Sequence, residues 1–397
     1  MNPHPRSSIH ASQVKLSARS ADALSDVVAR FRRLGHIRAR LRVRPDAERV
    51  VAVTVALALL MAVALSLVGV GMVARLNVTT PATTPATTSA TIPTWARAQP
   101  AIRSDFADPA VLVVGNTYYA YATNAYGKHI QVARSLDLRE WTLLPDALPV
   151  LPAWADSRGD WVWAPAVLQV GQRFLMYYTA RDAASAHQCI GVATSASPIG
   201  PFTDHNVQPL ICQLSLGGSI DPAPFRDGSA LYLYFKSDGN CCRQLTHLWG
   251  QRLTPDGLAL VDSPVSLLTN DQPWEGNVVE APNMLAHDGQ YDLFYSANDY
   301  ATDRYAVGYA RCQTPLGPCV KTTDKPLLAS APMSPEQLSG PGGGAFFEAA
   351  GATWIAFHAW NLESSGSVRS LMIERLGWRG DTPVVPAPAT SPLRSSA

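Results

Sequence analysis

The sequence lacks most of the short motifs that identify a hydrolase or a nucleotide-binding enzyme. No G-x-S-x-G, P-loop or H-E-x-x-H stretch occurs in its 397 residues, which argues against a serine nucleophile, a phosphate loop and a helical zinc site. No C-x-x-C pair or Cys/His pair at zinc-finger spacing is present either. A metal site built on cysteine is therefore not indicated.

Charge is also scarce, at 16% of residues, and the net charge of the chain is only +1. The positive charge is concentrated in residues 1–49, where eleven Lys and Arg face four Asp and Glu, a net +7 that leaves −6 for the remainder. Because a mildly acidic remainder repels phosphate, we do not expect nucleic acid as a partner.

One long stretch lacks charge altogether. Residues 50–74 form an apolar run of 25 residues, long enough to cross about 30 Å of hydrocarbon as a helix. A basic segment before such a run stays in the cytoplasm. We therefore predict a cytoplasmic segment at 1–49, a single-pass transmembrane anchor at 50–74 and an extracytoplasmic remainder in the cell membrane. A cleaved signal peptide is the alternative. The apolar core of a signal peptide is usually shorter than this run, and a small-x-small cleavage site, which does not follow closely here, comes after it.

Low-complexity segments frame the part of the chain that is expected to fold. Residues 75–97 include the Thr/Pro/Ala tract "TTPATTPATTSATIPT" and are predicted to be an extended linker. Residues 381–397 have a similar composition and are predicted to be a disordered tail. The folded domain is accordingly placed at 98–380.

All six cysteines lie beyond the apolar run, where an oxidising compartment permits disulfides. Cys312 and Cys319 flank "QTPLGP", whose proline and glycine favour a tight turn that brings them together. The other four allow three pairings. Of these we favour the pair Cys189 with Cys212 and the adjacent pair Cys241 with Cys242.

The folded domain contains a repeat. The stretches "DPAVLVVGNTYYAYAT", "APAVLQVGQRFLMYYTA", "DPAPFRDGSALYLYFKS" and "APNMLAHDGQYDLFYSA" each combine a proline, an apolar strand, a glycine turn and an aromatic strand. A weaker fifth copy is "GPGGGAFFEAAGATWIAFHAW", and the prolines recur every 56 to 60 residues. Alternating short strands with almost no helix indicate antiparallel sheets. The sequence predicts an all-β, five-bladed propeller.

Three acidic residues occupy matching places in this repeat, just before or one residue away from the proline: Asp108, Asp221 and Glu280. The inner strands of a propeller line its channel, so the three carboxylates are expected to share one pocket. Turn capping is the alternative for a single Asp-Pro. Hydrolysis of a glycosidic bond requires a pair of carboxyl groups and needs neither a metal cluster nor a serine nucleophile.

The ordered motifs "FADPAVL", "WAPAV", "GSIDPAPF" and "VVEAPNM", with "YAVGYA" downstream, resemble glycoside hydrolase family 43, five-bladed propellers acting on arabinose- and xylose-containing polysaccharides. The resemblance implies an inverting mechanism, with Asp108 as general base, Glu280 as general acid and Asp221 positioning the acid and raising its pKa. Inversion requires the base and acid carboxyls to be about 6.5 to 9.5 Å apart. The apolar neighbours of Glu280 favour its protonated form.

Further residues are candidates for binding. Trp163 and Phe106 are candidate sugar platforms, although both are also plausible core residues, and Arg304 is a candidate for substrate hydroxyls or for surface ion pairs. By resemblance His358 lies near the axis beside a calcium ion or water, so a structural calcium is allowed while no cofactor is required. The chain departs from the family at "GPGGG", where many members carry a histidine or asparagine.

Other functions are compatible with the same pattern. A non-catalytic carbohydrate-binding propeller at the cell surface is one alternative, and a galactofuranosidase of the same fold is another. Five-bladed fructan enzymes also use three acids, but their motifs differ from "SIDP" and "VEAP". The expected partner is a polysaccharide or oligosaccharide, and the oligomeric state cannot be predicted.

Overall fold

The computed structural model describes residues 99–158, 161–330, 338–361 and 368–385. The predicted basic segment, transmembrane span and linker lie outside these residues. Among the residues described, no helix is long and apolar enough to cross a membrane, and helix is confined to three 3-10 turns: Leu214–Leu216, Gly239–Cys242 and Pro273–Glu275. The regular secondary structure of the described chain is thus almost entirely strand.

Five antiparallel sheets follow one another along the chain. The first sheet contains β1 (Ala110–Val114), β2 (Thr117–Ala122), β3 (Gln131–Ser135) and β4 (Thr142–Leu143). The second contains β5 (Val162–Val170), β6 (Arg173–Arg181) and β7 (Gln188–Ser195). The third contains β8 (Ser219–Asp227), β9 (Ala230–Ser237), β10 (His247–Leu253) and β11 (Leu260–Thr269).

The last two sheets repeat the same order of strands. The fourth contains β12 (Val279–His287), β13 (Gln290–Ala297), β14 (Ala306–Cys312) and β15 (Cys319–Lys321). The fifth contains β16 (Leu338–Ala349), β17 (Ala352–Asn361), β18 (Val368–Arg379) and β19 (Thr382–Val384). Because β19 pairs with the end of β18, the folded domain extends to Val384, into the segment that was predicted to be a tail.

The first strand of each sheet contacts the first strand of its neighbours, in the cyclic order β1, β5, β8, β12, β16 and back to β1. This arrangement is a five-bladed propeller, and the predicted fold is confirmed. The ring is closed by the start of the described chain, where Ala101 N donates to Leu371 O of β18 and Phe106 N donates to Arg369 O, each at 2.8 Å.

The repeated proline marks a bend in each inner strand. The residue before the proline has a positive φ in all five blades, although such residues ordinarily adopt extended conformations. In β5, β8, β12 and β16 the pairing register also shifts at this point, as it does at a β-bulge, which redirects side chains. The five residues with positive φ are Asp108, Ala164, Asp221, Ala281 and Gly340.

A hydrogen bond crosses from each blade to the next at these bends. The donor is a backbone N–H of an inner strand, and the acceptor is a side chain of the preceding blade. The five bonds are Ala164 N to Thr123 Oγ1 (3.1 Å), Asp221 N to Thr179 Oγ1 (3.2 Å), Ala281 N to Asp221 Oδ2 (2.9 Å), Gly343 N to Ser296 Oγ (2.9 Å) and Asp108 N to His358 Nδ1 (3.1 Å).

All three predicted disulfides are present: Cys189–Cys212, Cys241–Cys242 and Cys312–Cys319. The first ties β7 to the connection that leads into the third blade, and the last joins β14 to β15 across the predicted turn. The middle one joins adjacent residues in the 3-10 turn after β9.

Candidate active site

A cavity of about 400 Å³ lies at the convergence of the inner strands. All five blades contribute to its lining, and the three acidic residues predicted to meet there do so. Its lining includes Asp108, Asp221 and Glu280, together with Thr123, Trp163, Lys236, Asp238, Cys241, Ala281, Tyr300, Tyr305, Gly343 and Arg369.

Asp108 is surrounded by groups that favour its ionised form. The Thr123 hydroxyl donates to Asp108 Oδ2 at 2.6 Å, and Arg369 Nη1 lies 3.5 Å from the same oxygen. Burial alone raises the pKa of Asp108, but the Arg369 guanidinium, with His358 and Thr123, outweighs burial and holds this pKa well below its usual range. Asp108 is therefore a carboxylate throughout the physiological range.

His358 is fully buried beside Asp108, and its Nδ1 lies 3.3 Å from Asp108 Oδ1. The glycines of "GPGGG" make room for this contact. A Cβ on Gly343, whose φ is +58°, would lie 2.6 Å from Asp108 Oδ1 and 2.6 Å from His358 Cε1. A Cβ on Gly342 would lie 2.2 Å from the Tyr305 ring. These glycines thus leave space that Tyr305, His358 and Asp108 share.

Glu280 has a more polar environment than its sequence neighbours suggested. Lys236 Nζ lies 2.9 Å from Glu280 Oε2, and the Tyr305 hydroxyl donates to Glu280 Oε1 at 2.8 Å. Burial raises the pKa of Tyr305, so this phenol remains a donor. The prediction that Glu280 has apolar surroundings is therefore wrong around its carboxyl oxygens, because Lys236 of the neighbouring blade supplies a buried positive charge there.

Asp221 lies on the adjacent blade, and its Oδ2 accepts a hydrogen bond from Ala281 N at 2.9 Å. Burial, and next the negative charge of Glu280, raise the pKa of Asp221 to about 8. Asp108 adds to this effect and Lys236 opposes it. At neutral pH the pocket therefore holds a proton on Asp221 while Asp108 is ionised.

The predicted binding residues divide into one that lines the pocket and two that do not. Trp163 is half-buried, lines the pocket and packs at a tilt against Trp161, with ring centroids 6.0 Å apart. Phe106 is 0% exposed and belongs to the core between the first and fifth blades. Arg304 is exposed outside the pocket lining. Phe106 as a sugar platform and Arg304 as a substrate ligand are therefore corrected to a core and a surface residue.

Two cations at the site were missed by the sequence analysis. Arg369 lies on β18 and contacts Asp108, and its guanidinium carbon is 5.3 Å from the centroid of the Tyr300 ring. Lys236 is 1% exposed. The one available signal was its position as the only charge in the otherwise apolar and aromatic strand "ALYLYFKS". No comparable signal distinguishes Arg369 from the other arginines of its strand.

The described residues contain no cluster of carboxylate and histidine ligands beside His358 for the calcium ion that the resemblance allows. Calcium takes six to eight oxygen ligands, and no group of three or more His, Cys, Asp or Glu side chains that could hold a metal occurs in the described part of the chain. His358 contributes a ring nitrogen, and its Nε2 is buried without a hydrogen-bond partner there. No step below involves an ion.

A pocket with three carboxyl groups at the centre of a five-bladed propeller is compatible with glycosidic hydrolysis, which uses paired carboxyl groups. Residues 98–383 match the family model "Glycosyl hydrolases family 43". The chain belongs to this family and is a glycoside hydrolase, related to arabinanases and xylosidases.

Three individual relatives illustrate the relationship. The extracellular endo-alpha-(1->5)-L-arabinanase 1 of Bacillus subtilis is 24% identical over 291 residues, covering 70% of this chain and 86% of the relative. The crystal structure of a thermostable family-43 glycoside hydrolase is 31% identical, with a TM-score of 0.63, and covers 73% of this chain and 95% of that one. The crystal structure of an endo-1,4-beta-xylanase from Bacteroides thetaiotaomicron is also 31% identical, with a TM-score of 0.60. The match covers 72% of this chain and 96% of that one.

Proposed function

We propose that this protein is an inverting glycosidase that cleaves arabinofuranosyl or xylosyl linkages in arabinan- or arabinoxylan-type polysaccharides or their oligosaccharides. The observation that carries the proposal is the contrast among three carboxyl groups in one pocket. One is held ionised by a guanidinium, one holds a proton near neutral pH, and one is paired with an ammonium group.

Asp108 is the general base of this proposal. A base that activates water must be ionised before the reaction, and Arg369 and Thr123 stabilise the charged form of Asp108. The Asp108 carboxylate accepts a proton of the attacking water, and the sugar receives the oxygen on the face opposite to the leaving group.

Glu280 is the general acid, and Asp221 assists it. Glu280 donates its proton to the glycosidic oxygen as the bond to the leaving sugar breaks. Asp221 lies on the neighbouring inner strand and keeps a proton up to about pH 8. This supports a role for Asp221 in assisting Glu280 as the acid.

The choice of sugar rests on relatives. The Bacillus protein is named an endo-arabinanase and the Bacteroides protein an endo-xylanase, so linkages in arabinan and xylan are the first candidates. Galactofuranosides are the alternative within the fold. Trp163 and Tyr300 supply aromatic faces in the pocket lining, which suit the apolar face of any of these sugar rings.

We also propose that the enzyme is held at the outer face of the cell membrane by residues 50–74. The support is the sequence alone: an uncharged run of 25 residues preceded by a net positive segment. Fractionation of cells expressing the full chain, with protease added outside, tests it. Membrane recovery and digestion of the propeller by external protease are expected, whereas release into the medium would point to a cleaved leader.

Hydrolysis assays test the catalytic proposal. Wild-type protein, Asp108→Asn and Glu280→Gln are compared on arabinan, arabinoxylan, xylo-oligosaccharides and aryl furanosides. We expect one substrate class to be turned over by the wild type and both variants to lose at least about 100-fold in kcat, the range for removing a general acid or base.

Saccharide binding by the same proteins provides the control. Retained binding with no turnover in the wild type would identify a carbohydrate-binding propeller and refute the catalytic proposal. Selective cleavage of galactofuranosides would keep the catalytic roles and replace the substrate.

A further inference from the structure

Lys236 is an unusual residue for the interior of a propeller. Its side chain is 1% exposed, and it projects from β9 into the wall of the cavity. A buried ammonium group is stable only when anions surround it. Burial alone lowers the pKa of Lys236, but the charges of Glu280, Asp221 and Asp238 outweigh burial and raise it. The lysine is therefore a fixed positive charge among acids.

The ammonium group has two partners at different distances. Nζ lies 2.9 Å from Glu280 Oε2 and 3.6 Å from Asp238 Oδ1. Asp238 follows the same strand and is itself 8% exposed. A small movement of the flexible lysine side chain therefore exchanges one carboxylate for the other without exposing the charge to water.

The pairing with Glu280 conflicts with donation of a proton by this carboxyl. Both Glu280 oxygens accept hydrogen bonds, one of them from a cation, which is the bonding of an ionised carboxylate. A general acid must carry a proton on one of these oxygens when the leaving group departs. A proton on Oε2 therefore requires Lys236 to release that oxygen.

We propose that Lys236 is a positioning residue for Glu280, pairing with Glu280 Oε2 while this carboxyl is ionised and transferring to Asp238 as Glu280 takes up its proton on Oε2. The inference rests on the proposed function, because it concerns the same acid. No bond other than hydrogen bonds changes at Lys236. Glu280 takes its proton from solvent and gives it to the leaving oxygen, while Asp108 returns to solvent the proton that it takes from the attacking water.

This arrangement makes the upper pH limit of activity depend on Lys236. A general acid is lost when it ionises, so its titration sets the alkaline limb of the pH profile. A positive charge beside the acid favours ionisation, and negative charges nearby oppose it. The charged and titratable groups that face Glu280 or its partners are Lys236, Asp221, Asp108, Tyr305, Asp238 and, beyond Asp238, His187.

The test is the pH dependence of kcat/KM for Lys236→Met, Lys236→Arg and Asp238→Asn beside the wild type. Lys236→Met removes the positive charge, and we expect the alkaline limb to move up by at least one pH unit. Asp238→Asn removes the second partner, so the lysine stays on Glu280 and the limb should move down. Lys236→Arg keeps the charge and should restore a limb close to that of the wild type.

Opposite shifts distinguish this role from a structural one. If the variants change only kcat or stability while the alkaline limb stays in place, Lys236 is a structural ion-pair partner and the proposal is wrong. If Lys236→Met does not fold, Asp238→Asn decides alone, because an unmoved limb in that variant refutes the exchange. Wild-type turnover and its loss in Glu280→Gln, measured in the same series, show separately whether the proposed function itself has failed.

Discussion

Asp108 and Asp221 occupy the same position of the repeat, directly before the proline, with φ values of 52° and 56°. Their neighbours give them opposite protonation behaviour. Arg369 faces Asp108 on one side of the ring, whereas Glu280 faces Asp221 on the other. The backbone thus presents equivalent carboxyls, and the side chains of adjacent blades assign their roles.

The raised pKa of Asp221 has a consequence for stability. Unfolded Asp releases its proton near pH 4, whereas folded Asp221 holds it up to about pH 8, so the folded state loses stability as pH rises through this interval. Asp221→Asn removes this dependence. We expect Tm of the variant to match the wild type near pH 4 and to exceed it by several degrees at pH 8, while kcat falls. Thermal unfolding at both pH values measures the difference, and equal offsets at the two pH values would contradict it.

Phe106 provides a direct test of the division between core and pocket. Because the ring is completely buried among the first and fifth blades, Phe106→Ala should lower the free energy of unfolding by about 3–5 kcal/mol and leave KM unchanged. Trp163→Ala, at the half-buried ring that lines the cavity, is the matched control and should raise KM. Denaturant titration and steady-state kinetics separate the two effects. A raised KM in Phe106→Ala with normal stability would restore the sugar-platform role.

The inner strands depend on hydrogen bonds that cross between blades at each bend. Thr179 is fully buried and accepts from Asp221 N at 3.2 Å. Thr179→Val keeps the shape but leaves that N–H unpaired, which costs about 1–3 kcal/mol and loosens Asp221. We expect a lower Tm together with a lower kcat, while exposed Thr142→Val in β4 should change neither. Normal kcat in Thr179→Val would show that the bond does not position Asp221.

Removal of two of the disulfides should have different effects on KM and on Tm. Cys241 lines the cavity, whereas Cys312–Cys319 joins two outer strands of the fourth blade. Replacing both Cys241 and Cys242 by serine should raise KM for oligosaccharides, and replacing Cys312 and Cys319 should lower Tm without affecting KM. Kinetics on both double variants provide the comparison. Identical KM values in the two would exclude Cys241 from substrate contact.

Some of these elements could be predicted from the sequence, for clear physical reasons. The proline, glycine turn and aromatic strand recur together every 56 to 60 residues, so they identified the inner and second strands of each blade. The turn at "QTPLGP" located Cys312 and Cys319. Side chains from different blades could not be placed this way, because the contact between Lys236 and Glu280 spans 44 residues and two sheets.

The whole molecule joins distant parts of the chain at one pocket. Residues before β1 pair with β18, and this closure brings Arg369 to Asp108 across 261 residues. The repeat predicts that the five inner strands converge, and hence that three acids meet. The repeat does not predict that Arg369, on the third strand of the fifth blade, reaches the pocket, because that contact depends on how the ring closes. Arg304 was chosen on sequence context, and Arg369 occupies the pocket instead.

The assignment of acid and base is most directly tested by leaving-group dependence. Wild type, Glu280→Gln and Asp108→Asn are assayed on an unactivated oligosaccharide and on an aryl glycoside of the same sugar with a dinitrophenolate leaving group. The activated substrate needs no proton from Glu280 but still needs water activated by Asp108. We expect Glu280→Gln to lose at least about 100-fold in kcat on the oligosaccharide and little on the aryl glycoside, while Asp108→Asn loses on both. Equal losses of Glu280→Gln on both substrates would contradict its role as the general acid.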